Sequence, residues 1–397
     1  MWRGVSLRKL ALLLMGPMIS EALASMFAAW MVLYAEKTLG LEPWQHMLIP
    51  AAGSLGYAAS AFLAGRWVTP RWAPALLIGS IVLMVAAGLV AATIKSFLAF
   101  VLLSLALSSV IGHYYTPFQI NMSHVRPFHT LAWSVAFYNI AWGSGAAIGP
   151  FFGSSLRQSP WGLLAGIAVT LATIHTILVL VSLYAPEPSR ELTPTVPFVS
   201  TPRHRRIGLV AFLAVGVVVR GLYITLWPRM SNQYGWSDVQ AGVGQFCIYG
   251  FVPLAAPLWA KLRRRLEKPW IMLASMVIGL AGFIALAFTR DWAVALACVL
   301  AVGWMESCVV FHAIYYMNSD PEPSSRGRGI GRFEMTAGIA SMLGPVTLGL
   351  LAWDDASSWR PYTFGALLTA GTIGYVFWAS RSPHPSRVRP PAAANGA

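Results

Sequence analysis

Twelve apolar stretches, each between 19 and 27 residues long, run through the chain at roughly 10–34, 46–64, 73–94, 97–120, 130–154, 161–184, 207–231, 239–260, 269–288, 291–317, 330–352 and 361–380. No other feature constrains the fold as strongly. A hydrocarbon core about 30 Å thick needs about 20 apolar residues in helical form. Helix is required because backbone polar groups in lipid must be satisfied inside the segment. Only 11% of the 397 residues are charged and 57% are hydrophobic. A soluble domain draws roughly a quarter of its residues from the charged types, so the shell it needs cannot be built here. An all-α membrane protein with twelve transmembrane helices follows.

Proline, glycine and charge mark the breaks, as in Gly40-Leu41-Glu42-Pro43 and Asp320-Pro321-Glu322-Pro323. The junctions Lys95-Ser96 and Arg290-Asp291 are short enough to imply tight antiparallel hairpins. The basic start Arg3, Arg8, Lys9 has the charge order of a signal peptide. The apolar run behind it is too long for one and holds Glu21 at its middle, so it is expected to stay as the first helix.

The net charge of +14 would suit nucleic acid, but its distribution points to a membrane. With both termini in the cytoplasm, 21 of the 28 Lys and Arg residues fall in inside segments and 6 in outside loops, with Arg220 inside a span. That alternation is the positive-inside pattern, and a miscounted helix would scramble it. A multi-pass protein of the cell membrane with cytoplasmic termini is expected, in contact with the lipid bilayer and not with nucleic acid. Cys247, Cys298 and Cys308 all sit in apolar segments without CxxC spacing, so neither a disulfide framework nor a metal site is expected.

The chain divides into a first half over 1–185, a cytoplasmic linker over 186–206, a second half over 207–381 and a disordered cytoplasmic tail over 382–397. The halves repeat. Gly145, Gly149, Pro150 and Gly153 write GxxxGPxxG in span 5, and Gly344-Pro345 begins a near copy in span 11. Pro150 and Pro345 lie 195 residues apart, and the same shift carries Gly40 to Gly235, Gln45 to Gln240 and Asn139 to Glu334. A shift of 199 carries His113 to His312. Each match joins span n to span n+6, as duplication requires.

With this 6+6 layout, central linker and span-5 motif, the chain resembles the major facilitator superfamily over most of its length. The resemblance implies two pseudo-symmetric six-helix bundles. The span-5 motif is similar to that of the family's proton-coupled antiporters. Physically, glycines one turn apart let a second helix approach closely, and the proline loosens the hydrogen-bond ladder. The loop after span 2 departs from the family pattern: Gly65-Arg66-Trp67-Val68-Thr69 keeps the glycine and an arginine but has Thr69 where the family places an aspartate.

An ionisable group at a helix centre costs roughly 2.5–3.5 kcal/mol on insertion scales, so each one kept there needs a partner or a task. Glu21, Arg220 and Glu306 sit mid-span, and Glu334 lies near the start of span 11, where local pairing with Arg332 or helix capping is the alternative to a functional role. The resemblance implies that helices 1, 4, 7 and 10 line the central cavity. Glu21, His113, Arg220, Glu306 and His312 all fall on those four. Helical spacing adds Tyr115 with Gln119, and Tyr223 and Trp227 with Arg220, as candidates for substrate contact or proton coupling. Asn139, His175 and Glu334 are secondary candidates. Glu21 and Arg220 could form a structural pair, or a substrate competing for the arginine could drive proton exchange.

No GxxxxGK[ST] loop is present, so an ion gradient is the expected energy source. The leading expectation is a monomeric secondary transporter that exports a small organic molecule against protons, an antiporter with no cofactor. Uptake of an organic anion by symport or facilitation, and ligand sensing without transport, are the alternatives. An enzyme is not expected, since no HExxH occurs and His124 and His129 stand in a loop without a carboxylate partner.

Overall fold

The computed structural model describes residues 7–40, 43–69, 71–122, 130–155, 161–184, 198–262, 265, 268–320, 322–352 and 359–381. Most of the expected linker, the tail, and His124 and His129 lie outside the described residues. Twelve antiparallel rods are present, and among the described residues there is no strand. They are α1 (Leu7–Leu39), α2 (Pro43–Trp67), α3 (Ala73–Ala91), α4 (Phe97–Met122), α5 (Leu131–Ser155) and α6 (Trp161–Val179, continued by a π turn Leu180–Tyr184). In the second half α7 runs Pro202–Gly221, passes through a π turn Leu222–Leu226 and resumes as Trp227–Gln233. It is followed by α8 (Asp238–Lys261), α9 (Trp270–Leu286), α10 (Trp292–Asn318), α11 (Pro323–Leu351) and α12 (Trp359–Arg381).

Among the described residues nine of these helices are long and apolar enough to cross a membrane, and Trp270–Leu286 is apolar but shorter. Their outer faces carry large apolar side chains such as Leu98, Leu102 and Leu254, which suits contact with lipid.

Local chemistry sets the helix ends. α7 begins five residues before its expected start because Thr201 caps it: its hydroxyl accepts from the His204 N–H at 3.3 Å, and His204 Nδ1 accepts in return from the Thr201 N–H. Ser237 and Gln240 repeat this reciprocal cap at α8, and Asp291 caps α10 through the Val294 N–H at 2.9 Å. The π turn of α7 precedes Pro228, whose ring would clash with the carbonyl of Ile224 in a regular helix. A widened turn there relieves the clash.

The two halves repeat in detail. Gly40 and Gly235, 195 apart, both take positive φ (60° and 67°) at the α1–α2 and α7–α8 turns, a backbone conformation that glycine adopts without cost. Two seams join the halves, α5 with α8 and α2 with α11. A Cβ on Gly143 would stand 2.6 Å from Pro253 Cδ, and one on Gly338 would stand 2.8 Å from Ala58 Cβ. Gly143 and Gly338, and Ala58 and Pro253, are again 195 apart. Where α5 meets α1, and α11 meets α7, the register is instead 199. A Cβ on Gly145 would meet Met18 O, Glu21 Cβ and Ala22 N, and one on Gly344 would meet Val217 O, Arg220 Cβ and Gly221 N. Gly344 therefore takes the place of Gly145, one turn away from the Gly149 alignment suggested by the prolines. Glu21 and Arg220 are consequently pseudo-symmetric counterparts.

Candidate functional site

Between the halves lies a cavity of about 1110 Å³, just above the roughly 300–1,000 Å³ of small-molecule sites. Met47 near the start of α2, and Arg229 and Asn232 near the end of α7, belong to its rim; Phe212, Phe333 and Glu334 belong to its floor. It opens, then, at the end of the bundle opposite the one where α1 begins and α12 ends. That second end is here called the base.

One wall is acidic. Glu21 of α1 accepts a 2.5 Å hydrogen bond from Tyr115 Oη, and Trp142 lies beside it. The Ser25 hydroxyl, a turn further along α1, donates to Glu21 O at 2.6 Å. The facing wall is basic. The Arg220 guanidinium of α7 sits 5.1 Å from the Tyr249 ring centroid and 5.8 Å from that of Trp142. Tyr223 closes on Tyr249 edge to face at 4.7 Å. Arg220 lies within Coulombic reach of Glu21 and Glu306, but among the described residues it makes no ion pair or hydrogen bond. A simple Glu21–Arg220 salt bridge is thus not what the cavity contains.

On the floor Glu334 accepts from Tyr57 Oη of α2 and from Gln119 Nε2 of α4, and Gln119 Nε2 also donates to Tyr138 Oη at 3.0 Å. Glu334 belongs to the second half and its three neighbours to the first. It is neither a cap nor a local partner of Arg332 but a bridge between halves. Beside it Phe212 and Phe333 stack with centroids 4.5 Å apart.

The sequence model of the Major Facilitator Superfamily matches residues 13–251 and again residues 207–397. The chain belongs to the Major Facilitator Superfamily. The family makes it a membrane transporter and not an enzyme. Among solved structures it is similar to the human organic anion transporter MFSD10 (TETRAN), with a TM-score of 0.70 and 17% identity over 93% of this chain and 99% of that one. It is also similar to FucP in the outward conformation, with a TM-score of 0.63 and 16% identity over 93% of this chain and 98% of that one. At such identities the likeness concerns the fold. A stretch of 162 residues is 29% identical to the dehydrocurvularin exporter of Alternaria cinerariae. That stretch is 39% of this chain and spans only 27% of the relative's length.

In this superfamily member, Glu21, Tyr115, Arg220, Tyr223 and Glu334 line the cavity, and Gln119 braces Glu334 from behind. The other expected site residues lie elsewhere. Trp227 is fully buried; its indole donates to Ala241 O at 2.8 Å and fills the space over Gly244, so it packs α7 onto α8. His113 Nδ1 contacts Ser109 O at 2.9 Å and His312 Nδ1 contacts Cys308 O at 2.8 Å, each bonding within its own helix. His175 meets the Tyr114 hydroxyl at 2.9 Å inside the first half. Asn139 is buried outside the lining. Glu306 is fully buried within Coulombic reach of Arg220, and among the described residues neither carboxylate oxygen has a hydrogen-bond partner.

The motif glycines do structural work at the site. Gly145 and Gly149 bring α5 against α1 at Glu21 and Ser25, and Gly344 brings α11 against α7 at Arg220. Pro150 and Pro345 reach the cavity wall, and Thr225 donates to Pro345 O at 3.3 Å. Tyr57, Tyr138, Trp142, Gln245 and Tyr249 complete the site, on helices 2, 5 and 8 that the 1-4-7-10 expectation left out. Their signal was available: Tyr138 with Trp142, and Gln245 with Tyr249, are polar aromatic or amide groups one turn apart on single helix faces.

Proposed function

We propose that this protein is a secondary active transporter that exports a small organic molecule in exchange for protons, by alternating access of its two halves. The observation that carries the proposal is the cavity itself: it lies between the halves, its lining among the described residues runs from mid-bundle to the Met47 and Asn232 end, and it holds a carboxylate and a guanidinium on opposite walls without an ion pair between them. Glu21 is the proton carrier and Arg220 the substrate anchor, so that occupancy of one alters the field at the other. The positive-inside distribution supports a cytoplasmic base with both termini, in the cell membrane, which makes the present conformation outward-facing. Export is supported by the span-5 motif and by the stretch of likeness to an exporter. The protein works as a monomer, since the cavity is complete within one chain.

The opposite direction has one observation in its favour. Arg220 keeps its donors available in an outward-facing cavity, which suits capture of an external organic anion for uptake. Purified protein in liposomes, loaded with a pH-sensitive dye and challenged with a library of metabolites and drugs across an imposed proton gradient, tests both. Substrate efflux coupled to proton influx is the expected result. Co-directional movement of substrate and proton reverses the direction assigned, and flux indifferent to the gradient removes the coupling.

A further inference from the structure

We infer that the ligand of this cavity is an organic monoanion with an aromatic or conjugated body, held by its charged end on Arg220. The inference rests on the transport reading only in taking the cavity as the ligand site. Arg220 projects from α7 into a frame built by both halves: Trp142 from α5, and Tyr249 from α8 with Tyr223 from α7 against it. Trp142 and Tyr249 are themselves edge to face at 6.0 Å. The rings position the guanidinium by cation–π attraction and leave its N–H edge unengaged among the described residues. Such an edge matches a planar oxyanion in bidentate fashion, in a way that a lysine ammonium could not. A ring on the same ligand would find aromatic faces within reach of that anchor.

The other charges in the cavity restrict the ligand to one negative charge. Glu21 on the opposite wall and Glu334 on the floor would both oppose a second one. A cation fares no better, because the two carboxylates already accept hydrogen bonds from Tyr115, and from Tyr57 and Gln119, and Arg220 repels it. Glu306, buried within Coulombic reach of Arg220 and outside the cavity, compensates the guanidinium at a distance without occupying its donors. The two halves thus divide the work: acid at position 21, and base at the pseudo-symmetric position 220.

The test is equilibrium binding to the full chain in lipid nanodiscs, by calorimetry, with no gradient and no flux. The probes are 2-naphthoate, its neutral isostere 2-naphthamide, (2-naphthylmethyl)trimethylammonium, naphthalene-2,6-dicarboxylate and cyclohexanecarboxylate. 2-Naphthoate is expected to bind saturably, and each of the other four about tenfold or more weakly. Arg220→Lys and Arg220→Gln are each expected to lose about tenfold of the naphthoate affinity, and Trp142→Leu several-fold. Comparable binding of the amide, preference for the cation, or no naphthoate binding at millimolar concentration overturns the inference. These probe comparisons use the wild type, so they decide even if the arginine variants fold poorly. Selective naphthoate binding without any transport would sink the transport reading alone; proton-coupled flux of neutral or cationic compounds with no preference for anions would sink this inference alone.

Discussion

Glu21 and Tyr115 share a 2.5 Å hydrogen bond in the cavity wall, and the Trp142 side chain bonds to the same carboxylate. Glu21→Gln keeps the shape and can still bond to Tyr115, but it holds no exchangeable acidic proton. Dye-reported proton movement on substrate addition is expected to fall to background in this variant, while ligand affinity in nanodiscs changes by less than about tenfold. Trp227 gives the opposite outcome. Trp227→Phe removes the indole's hydrogen bond to Ala241 O and leaves that carbonyl its helical partner, at about 0.5–1.5 kcal/mol. The melting temperature of the purified protein should drop with ligand affinity unchanged; an affinity loss would return Trp227 to the site. Why was one residue legible and the other not? A carboxylate or guanidinium in an apolar run stands out because lipid makes it costly, so Glu21 and Arg220 are visible in the sequence. Counting seven residues along a regular helix places Trp227 on the face of Arg220. The π turn at 222–226 adds a residue to that count and turns the indole away, and its cause, Pro228, reads in sequence as an ordinary helix proline.

At the scale of the helix, the glycine motifs fix where the charged walls stand. A Cβ at position 145 would lie 2.5 Å from Met18 O, and one at 344 would lie 2.4 Å from Val217 O. Both obstacles are backbone, so neither can rotate away. Gly145→Ala should push α5 off α1 beside Glu21, and Gly344→Ala should push α11 off α7 beside Arg220, each at about 1–3 kcal/mol of overpacking. Transport assays and melting curves should both show the loss, with Gly166→Ala in α6 as the control, since nothing lies within 4 Å of a Cβ there. The repeat was readable from sequence because glycines and prolines recur at one spacing. The one-turn change of register between α5 and α11 was not. It is set by which glycine faces the neighbouring helix, and a list of equivalent prolines carries no information on facing.

For the whole molecule, the present state is one of two that a transporter must visit, and the base is where it is held. The α2–α11 crossing there is tight enough that a Cβ on Gly65 would come within 2.7 Å of Gly331 Cα. Just above it Glu334 of the second half is bound by Tyr57 and Gln119 of the first. Steric fit alone resists compression but not separation, whereas charge-assisted bonds resist separation. Opening the base must break these bonds, so they weight the equilibrium toward the open mouth. Glu334→Gln preserves the shape and weakens the bonds, and Tyr57→Phe removes one donor while leaving the carboxylate. Both should populate the base-open state. In a background with Cys247, Cys298 and Cys308 replaced, a cysteine at Ile120, which faces Gly327 near the base, should react several-fold faster with a water-soluble maleimide in either variant. A cysteine at Met47, on the rim, should react more slowly. Faster reaction at both positions would mean general loosening and no switch. Unchanged rates at both would mean that the crossing of α2 and α11, and not Glu334, keeps the base closed.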